Sequence, residues 1–178
     1  YGMGNGLDDV KKASNVEKNI VAAPAALEAA KYLERTYGTP YEIGYPLVDE
    51  LVRDMDYQGK KVLVVQQQVT GNAIREEILK KAPDAQVTVA SWFMMKPELR
   101  RDEDLHLRDE EDYIKLVETR SYDVIYADPC MARMTPKFEG VFVDTVHFAV
   151  SGKLVTVEAA KDSKELKEPG YESDGRSV

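Results

Sequence analysis

Cysteine and histidine are scarce in this chain. Its 178 residues include one cysteine, Cys130, and two histidines, His106 and His147. A single thiol excludes an internal disulfide, which fits a protein of a reducing compartment. The same counts exclude a four-ligand Cys/His zinc site and a complete cysteine cage for an iron–sulfur cluster within this chain. We therefore expect no metal site and no cofactor in the chain alone.

Basic residues are outnumbered, and long apolar runs are missing. The chain has 24 Lys and Arg against 32 Asp and Glu, which gives a formal net charge of −8. This excess of acidic residues opposes general nucleic-acid binding, which depends on basic surface to displace phosphate counterions. No apolar run approaches the roughly 20 residues needed to span a bilayer. We expect a cytoplasmic protein with neither a nucleic-acid nor a membrane partner.

Sequence motifs that bind phosphate groups are missing too. The glycines at positions 2, 4 and 6 follow no strand in this sequence, so they fail the structural condition for a dinucleotide fingerprint. No Walker A motif is present. The turn 66–72 (QQQVTGN) lies where a nucleotide-binding turn would lie, yet it has one glycine and no lysine. Its amide side chains either bind a polar ligand or solvate the turn, and we favour solvation.

The sequence does contain short apolar strands that alternate with helices. The run Ile20–Ala23 is too short for a helix, whereas Pro24 suits the first turn of a helix that ends before Gly38. Pro40 then forces the chain into an extended conformation, which predicts a second strand at 41–44. This part of the chain is typical of one βαβ unit.

A second alternating run begins after Gly59. It combines apolar runs with helical periodicity, and these predict strands 61–66, 86–91, 122–127 and 141–146 and helices 70–81 and 112–119. Between them, the segment 96–112 is mostly charged and predicts a solvated loop. Before Gly59, apolar residues four apart predict a helix that starts at Pro46 and ends near Tyr57.

Strands and helices in this order predict an α/β, Rossmann-like fold. Its mainly parallel β-sheet carries helices on both faces, in three layers, and Gly59 is a candidate joint between two lobes. We assign residues 1–58 to the end of one Rossmann-like domain, 59–154 to a Rossmann-like C-terminal domain and 155–178 to a polar tail. Because the chain starts at Tyr1 and enters a helix almost at once, we expect a fragment of a longer protein.

Ligands of parallel sheets sit beyond the carboxyl ends of the strands. Three residues that follow predicted strands are therefore candidates for cofactor binding, namely Gln66, Cys130 and His147, and we expect them to converge on one edge of the sheet. The Cys130 thiol either faces the crevice or is buried as a small apolar group. His147 either projects into the crevice or caps its strand through a backbone hydrogen bond. A catalytic pair of Cys130 and His147 is a further alternative.

Several of these segments resemble nitrogenase component 1-type oxidoreductases. The run 19–46 (NIVAAPAALEAAKYLERTYGTPYEIGYP) is similar to the later part of those proteins. GKKVLVV at 59–65 resembles the strand that opens their last domain, and DVIYADP and VHFAVSG resemble its closing strands and loop. The resemblance covers residues 1–154 and implies the end of the second and the whole third Rossmann-like domain.

The resemblance also implies cofactors and partners for a parent protein. These are an iron–sulfur cluster or related metallocofactor, a paired homologous subunit and an ATP-dependent iron–sulfur reductase. In the cofactor subunit of the molybdenum–iron enzyme, a histidine shortly before a Ser-Gly pair binds the cofactor, and His147 before Ser151 and Gly152 resembles it. The residues between them, 148–150 (FAV), depart from the aromatic and acidic residues of that enzyme.

By this resemblance the chain contributes one wall of a metallocluster or tetrapyrrole/substrate cleft in an electron-transfer reductase, and is inactive alone. The alternative is a non-catalytic metallocofactor-binding or assembly-scaffold protein. A third interpretation, an unrelated flavodoxin-like or solute-binding domain, predicts that the chain by itself binds flavin or a small solute.

Overall fold

Strands and helices alternate along the residues that the computed structural model describes, 6–147 and 149–151. The strands are β1 (Asn19–Val21), β2 (Tyr41–Ile43), β3 (Lys61–Val65), β4 (Gln86–Ser91), β5 (Leu105–His106), β6 (Val124–Ala127) and β7 (Val141–Asp144). The α-helices are α1 (Leu7–Lys11), α2 (Leu27–Tyr37), α3 (Val48–Leu51), α4 (Gln68–Lys81), α5 (Glu110–Thr119) and α6 (Pro129–Ala132). Short 3-10 helices cover Lys12–Asn15, Pro24–Ala26 and Pro97–Leu99.

The strands form two sheets, and every pairing in them is parallel. β1 pairs with β2, and the larger sheet has the order β5-β4-β3-β6-β7. From β3 the chain builds outward on one side through β4 and β5, then returns to build the other side through β6 and β7. This is the strand order of a doubly wound Rossmann-like sheet, with its switch point between β3 and β6. The α/β, Rossmann-like prediction is confirmed.

Helices cover both faces of the larger sheet. Successive side chains of a strand point to opposite faces, and in β3 Val62 and Val64 pack with Ile74 and Ile78 of α4. The residues between them, Leu63 and Val65, pack on the other face with Tyr113 and Leu116 of α5. These four side chains are at most 3% exposed. The continuous apolar run of β3 is therefore that of a strand buried on both faces.

Helix α4 lies unusually close to the sheet at Gly71. A Cβ built on Gly71 would lie 2.6 Å from Cγ1 of Val89, a fully buried residue of β4. We expect Gly71→Ala to lower the free energy of unfolding by about 1–2 kcal/mol, because the added methyl overpacks this contact although alanine favours the helix. Gly44→Ala is the control, since nothing lies within 4 Å of a Cβ there. Urea unfolding measures both, and equal effects of the two substitutions would contradict the packing argument.

The predicted helix from Pro46 to Tyr57 is shorter than expected. α3 ends at Leu51 because Val52 takes an extended conformation and turns its side chain into the core. The next residue is held there by hydrogen bonds: the Arg53 N–H donates to the Tyr126 hydroxyl at 3.1 Å, and the Tyr57 hydroxyl donates to the Arg53 carbonyl at 2.7 Å. Tertiary contacts with a distant strand thus override the local helical pattern.

The prediction of a solvated loop at 96–112 is wrong at its centre. Asp104 is fully buried and pairs with the buried Arg75 of α4, with 2.5 Å between Oδ1 and Nη1. The backbone N–H groups of Val89 and Arg101 donate to the same carboxylate at 3.0 and 2.9 Å. The pair therefore anchors the charged segment 96–112 onto α4 and β4, although most of the other charged residues of that segment are exposed.

Two further sequence predictions concern domain limits and membranes. Gly59 takes a left-handed conformation with φ of 63° between the two sheets, but the domain boundary at 58/59 stays a prediction. The predicted polar tail, 155–178, lies outside the described residues. Within the described ranges, no helix is long and apolar enough to cross a membrane.

Candidate functional site

The candidate site lies at the carboxyl edge of the larger sheet, beside its switch point. A cavity of about 10 Å³ opens there, walled by residues at the ends of β3 and β4 and by residues that follow β3, β4, β6 and β7. Its polar walls come from Gln66, Ser91, Asp128 and His147. A cavity of this size has room for about one water molecule. A larger ligand would have to lie outside it, against the edge of the sheet.

Gln66 holds the segment that carries His147. The Gln66 amide donates to the carbonyl oxygens of Thr145 at 2.9 Å and Val146 at 3.4 Å, and its Oε1 accepts from the Gln67 N–H at 3.2 Å. Gln66 is only 6% exposed. The amide therefore fixes the backbone that leads into His147, and the prediction that this side chain solvates the turn is wrong.

The next two glutamines bind two other segments. The Gln67 amide donates to the carbonyl of Ala22, at the end of β1, while its Oε1 accepts from the Val69 N–H at 2.9 Å and caps α4. Gln68 is fully buried and makes a two-fold hydrogen bond to the backbone of Lys96, at 3.0 and 2.7 Å. Three consecutive amides thus join three separate segments to the start of α4.

Asp128, like Ser91, lines this site but was not among the candidates predicted from the sequence. Its fully buried carboxylate accepts from the Cys130 N–H at 3.0 Å and from the His147 N–H at 2.9 Å. Burial by itself raises the pKa of a carboxyl, but the hydrogen bonds from His147 and Cys130 outweigh it and lower the pKa of Asp128. The signal was in the sequence: Asp followed by Pro, directly after a strand, is typical of a helix N-terminus.

His147 is buried and held on two sides. Its ring stacks on Phe93 with centroids 4.4 Å apart and an angle of 3° between the planes. Its Nδ1 accepts a hydrogen bond from the backbone N–H of Ala149 at 3.2 Å. Burial lowers the pKa of His147, and the nearby negative charge of Asp128 opposes that shift only in part. The imidazole is therefore kept neutral near pH 7.

Cys130 stands apart from the cavity. It is exposed, so the alternative of a buried small apolar residue is wrong. The reason is its place in α6, where the neighbouring Met131 takes the inward position instead. Cys130 is not one of the cavity's wall residues, and Asp128 connects it to His147 by accepting a hydrogen bond from the backbone N–H of each.

The exposure of Cys130 has a direct consequence for its chemistry. We expect this only cysteine of the chain to react with a disulfide reagent such as Ellman's reagent in the native protein, at a rate within about threefold of that in urea, because no unfolding step has to precede the reaction. A native thiol that reacts only after denaturation would contradict the exposed position.

The described residues do not fit a metallocofactor by themselves. No group of three His, Cys, Asp or Glu side chains among them is arranged to hold a metal ion. The amide of Gln66 and the carboxylate of Asp128 already accept or donate hydrogen bonds within the protein. The arrangement offers a wall that is held by hydrogen bonds and includes the His147 imidazole, whereas the Cys130 thiol lies outside the cavity.

Comparison with known proteins identifies the fold. Neither a protein-family model nor a curated protein matches the sequence. A solved structure of nitrogenase Cp1 at pH 6.5 matches with a TM-score of 0.54 and 15% sequence identity, over 82% of this chain. The match spans 43% of that nitrogenase chain, less than half of its length. At this identity the match establishes that the chain has a nitrogenase-like α/β fold.

Proposed function

We propose that this chain is part of a nitrogenase component 1-type oxidoreductase and contributes one wall of a metallocluster or tetrapyrrole/substrate cleft. The observation that carries the proposal is the convergence of Gln66, Asp128 and His147 at the switch point of the sheet, the place where doubly wound folds bind ligands. The likeness in fold to nitrogenase Cp1 supports it.

The proposal includes the surroundings of the chain. Residues 1–58 would end one Rossmann-like domain and residues 59–154 would form the next, and the cluster ligands would come from elsewhere in a longer polypeptide or from a paired homologous subunit. Electrons would come from an ATP-dependent iron–sulfur reductase. Within this arrangement Gln66 and Asp128 orient the wall through backbone hydrogen bonds, His147 is part of the wall, and Cys130 lies outside the cavity on α6.

A second candidate function is a non-catalytic metallocofactor-binding or assembly-scaffold protein. One observation favours it: the polar groups of the wall are engaged in hydrogen bonds within the protein, which suits holding a bound group more than exchanging protons with it. Both candidates predict the same fold, so the distinction has to come from activity.

The test uses the longer polypeptide and this chain in parallel. We expect the longer protein, prepared without oxygen, to contain iron and sulfide and to be reduced in the presence of ATP and its reductase, whereas this chain alone is colourless. Iron and sulfide without ATP-dependent reduction would favour the scaffold. Flavin or a small solute bound by this chain alone would contradict both and favour an unrelated ligand-binding domain.

A further inference from the structure

The hydrogen bond to the His147 ring decides which of its nitrogens carries the proton. A neutral imidazole has one N–H donor and one nitrogen acceptor. The group opposite Nδ1 is the backbone N–H of Ala149, at 3.2 Å, and a backbone N–H can only donate. Nδ1 is therefore the acceptor, and the proton of the neutral ring lies on Nε2.

We propose that His147 is locked as the neutral Nε2–H tautomer and acts at this edge of the sheet as a hydrogen-bond donor, not as a metal ligand. Coordination through Nε2 would need the lone pair of that nitrogen and would move the proton to Nδ1. Nδ1–H would then face the Ala149 N–H, so that two donors oppose each other. The class of group that His147 can serve is an oxygen acceptor, from the protein or from a ligand.

Two further contacts keep the ring in this state. Phe93 stacks on one face of the imidazole with nearly parallel planes, so the ring cannot turn without breaking the stack. The ring is also buried, which disfavours the charged form in which both nitrogens carry protons. The charge of the neighbouring Asp128 opposes this effect without reversing it.

The class of ligand assigned to His147 refines the proposed cleft and rests on the proposed function. The tautomer of His147 does not depend on that function. If the chain forms a cofactor wall, then the cofactor's metal is held by other residues, and His147 donates a hydrogen bond beside it. If the chain has another function, the ring is still a fixed donor. The two claims can therefore fail separately.

The test is nitrogen NMR on this chain with labelled histidine. His106 and His147 are the only histidines, so a His106→Gln variant assigns the signals. We expect Nδ1 of His147 to resonate as an unprotonated nitrogen and Nε2 as a protonated one at pH 7, unchanged by a stoichiometric amount of Zn²⁺. A protonated Nδ1, or a Zn²⁺-dependent shift of Nε2, would overturn the inference.

Amide exchange gives an independent measurement. The Ala149 N–H should exchange about tenfold faster in His147→Leu than in the wild type, the factor that corresponds to about 1.4 kcal/mol. His147→Asn is the matched control, because its Oδ1 lies where Nδ1 lies and can accept the same bond, so it should restore most of the protection. Unchanged exchange in His147→Leu would show that Nδ1 does not hold Ala149 and would overturn the inference.

Discussion

Replacing Asp104 with alanine should lower the free energy of unfolding by about 3–5 kcal/mol, the largest loss that we expect from one substitution. The guanidinium of Arg75 is 2% exposed, and without Asp104 it would be a buried charge without its counterion. The N–H groups of Val89 and Arg101 would lose their acceptor as well. Urea unfolding followed by circular dichroism measures the loss.

Two controls separate this effect from a general loss of charge. Glu111→Gln removes the negative charge from the exposed ion pair of Glu111 with Lys115. It should lower the free energy of unfolding by about 0.5 kcal/mol or less. The double variant Arg75→Met, Asp104→Leu removes both buried charges, and we expect it to be at least about 1 kcal/mol more stable than Asp104→Ala. If Asp104→Ala costs no more than Glu111→Gln, the pair does not anchor the segment.

Asp128→Ala should lower the free energy of unfolding by about 3 kcal/mol, because two buried backbone N–H groups would lose a charged acceptor. These N–H groups belong to Cys130 and His147, so the substitution should also release the segment that holds the His147 ring. The loss is measured by urea unfolding, and the release by faster amide exchange at His147. An Asp128→Ala protein as stable as the wild type, with unchanged amide exchange at His147, would contradict this prediction.

Asp144→Ala is the matched control for this substitution. Asp144 ends β7 beside the same edge of the sheet but is exposed, and we expect its replacement to change stability by no more than about 0.5 kcal/mol. Asp128→Asn keeps one acceptor oxygen, so its loss should lie between those of the two alanine variants.

The same residues determine how stability depends on pH. The pKa of His147 is lowered in the folded protein from an ordinary value of 6.5, so its neutral form stabilises the fold above that pH and the contribution is lost as the pH falls. The pKa of Asp128 is lowered from 3.8, so the stability that its carboxylate contributes is lost at a lower pH, below that value. We expect stability to fall on acidification from about pH 6.5, and His147→Phe to reduce the first part of that fall, as measured by urea unfolding at each pH.

The fold could be predicted from the sequence because its signals are local. The apolar run of β3 requires burial on both faces, and Pro24 and Gly38 mark the two ends of a helical segment around α2. The site could be predicted only in outline. The rule that ligands lie beyond the carboxyl ends of parallel strands led to Gln66 and His147, which the structure places around one cavity.

The remaining features depend on contacts between distant residues. Asp104 looks like one charge among many in 96–112, and only the position of Arg75 on α4 explains its burial. The glutamines of the turn look like solvated amides until their partners at Ala22, Lys96 and Thr145 are known. Local periodicity contains no information on such pairs, because they lie in different elements.

The glutamine turn also affects the order of events during synthesis of the chain. The partners of its three amides lie 79, 45 and 28 residues away along the chain. Because the Thr145 carbonyl emerges from the ribosome long after Gln66, the Gln66 amide has to stay hydrated until β7 and the residues after it dock. Its pairing should therefore follow the docking of β7, and a ribosome stalled before residue 145 would hold a nascent chain with this edge of the sheet still open to solvent.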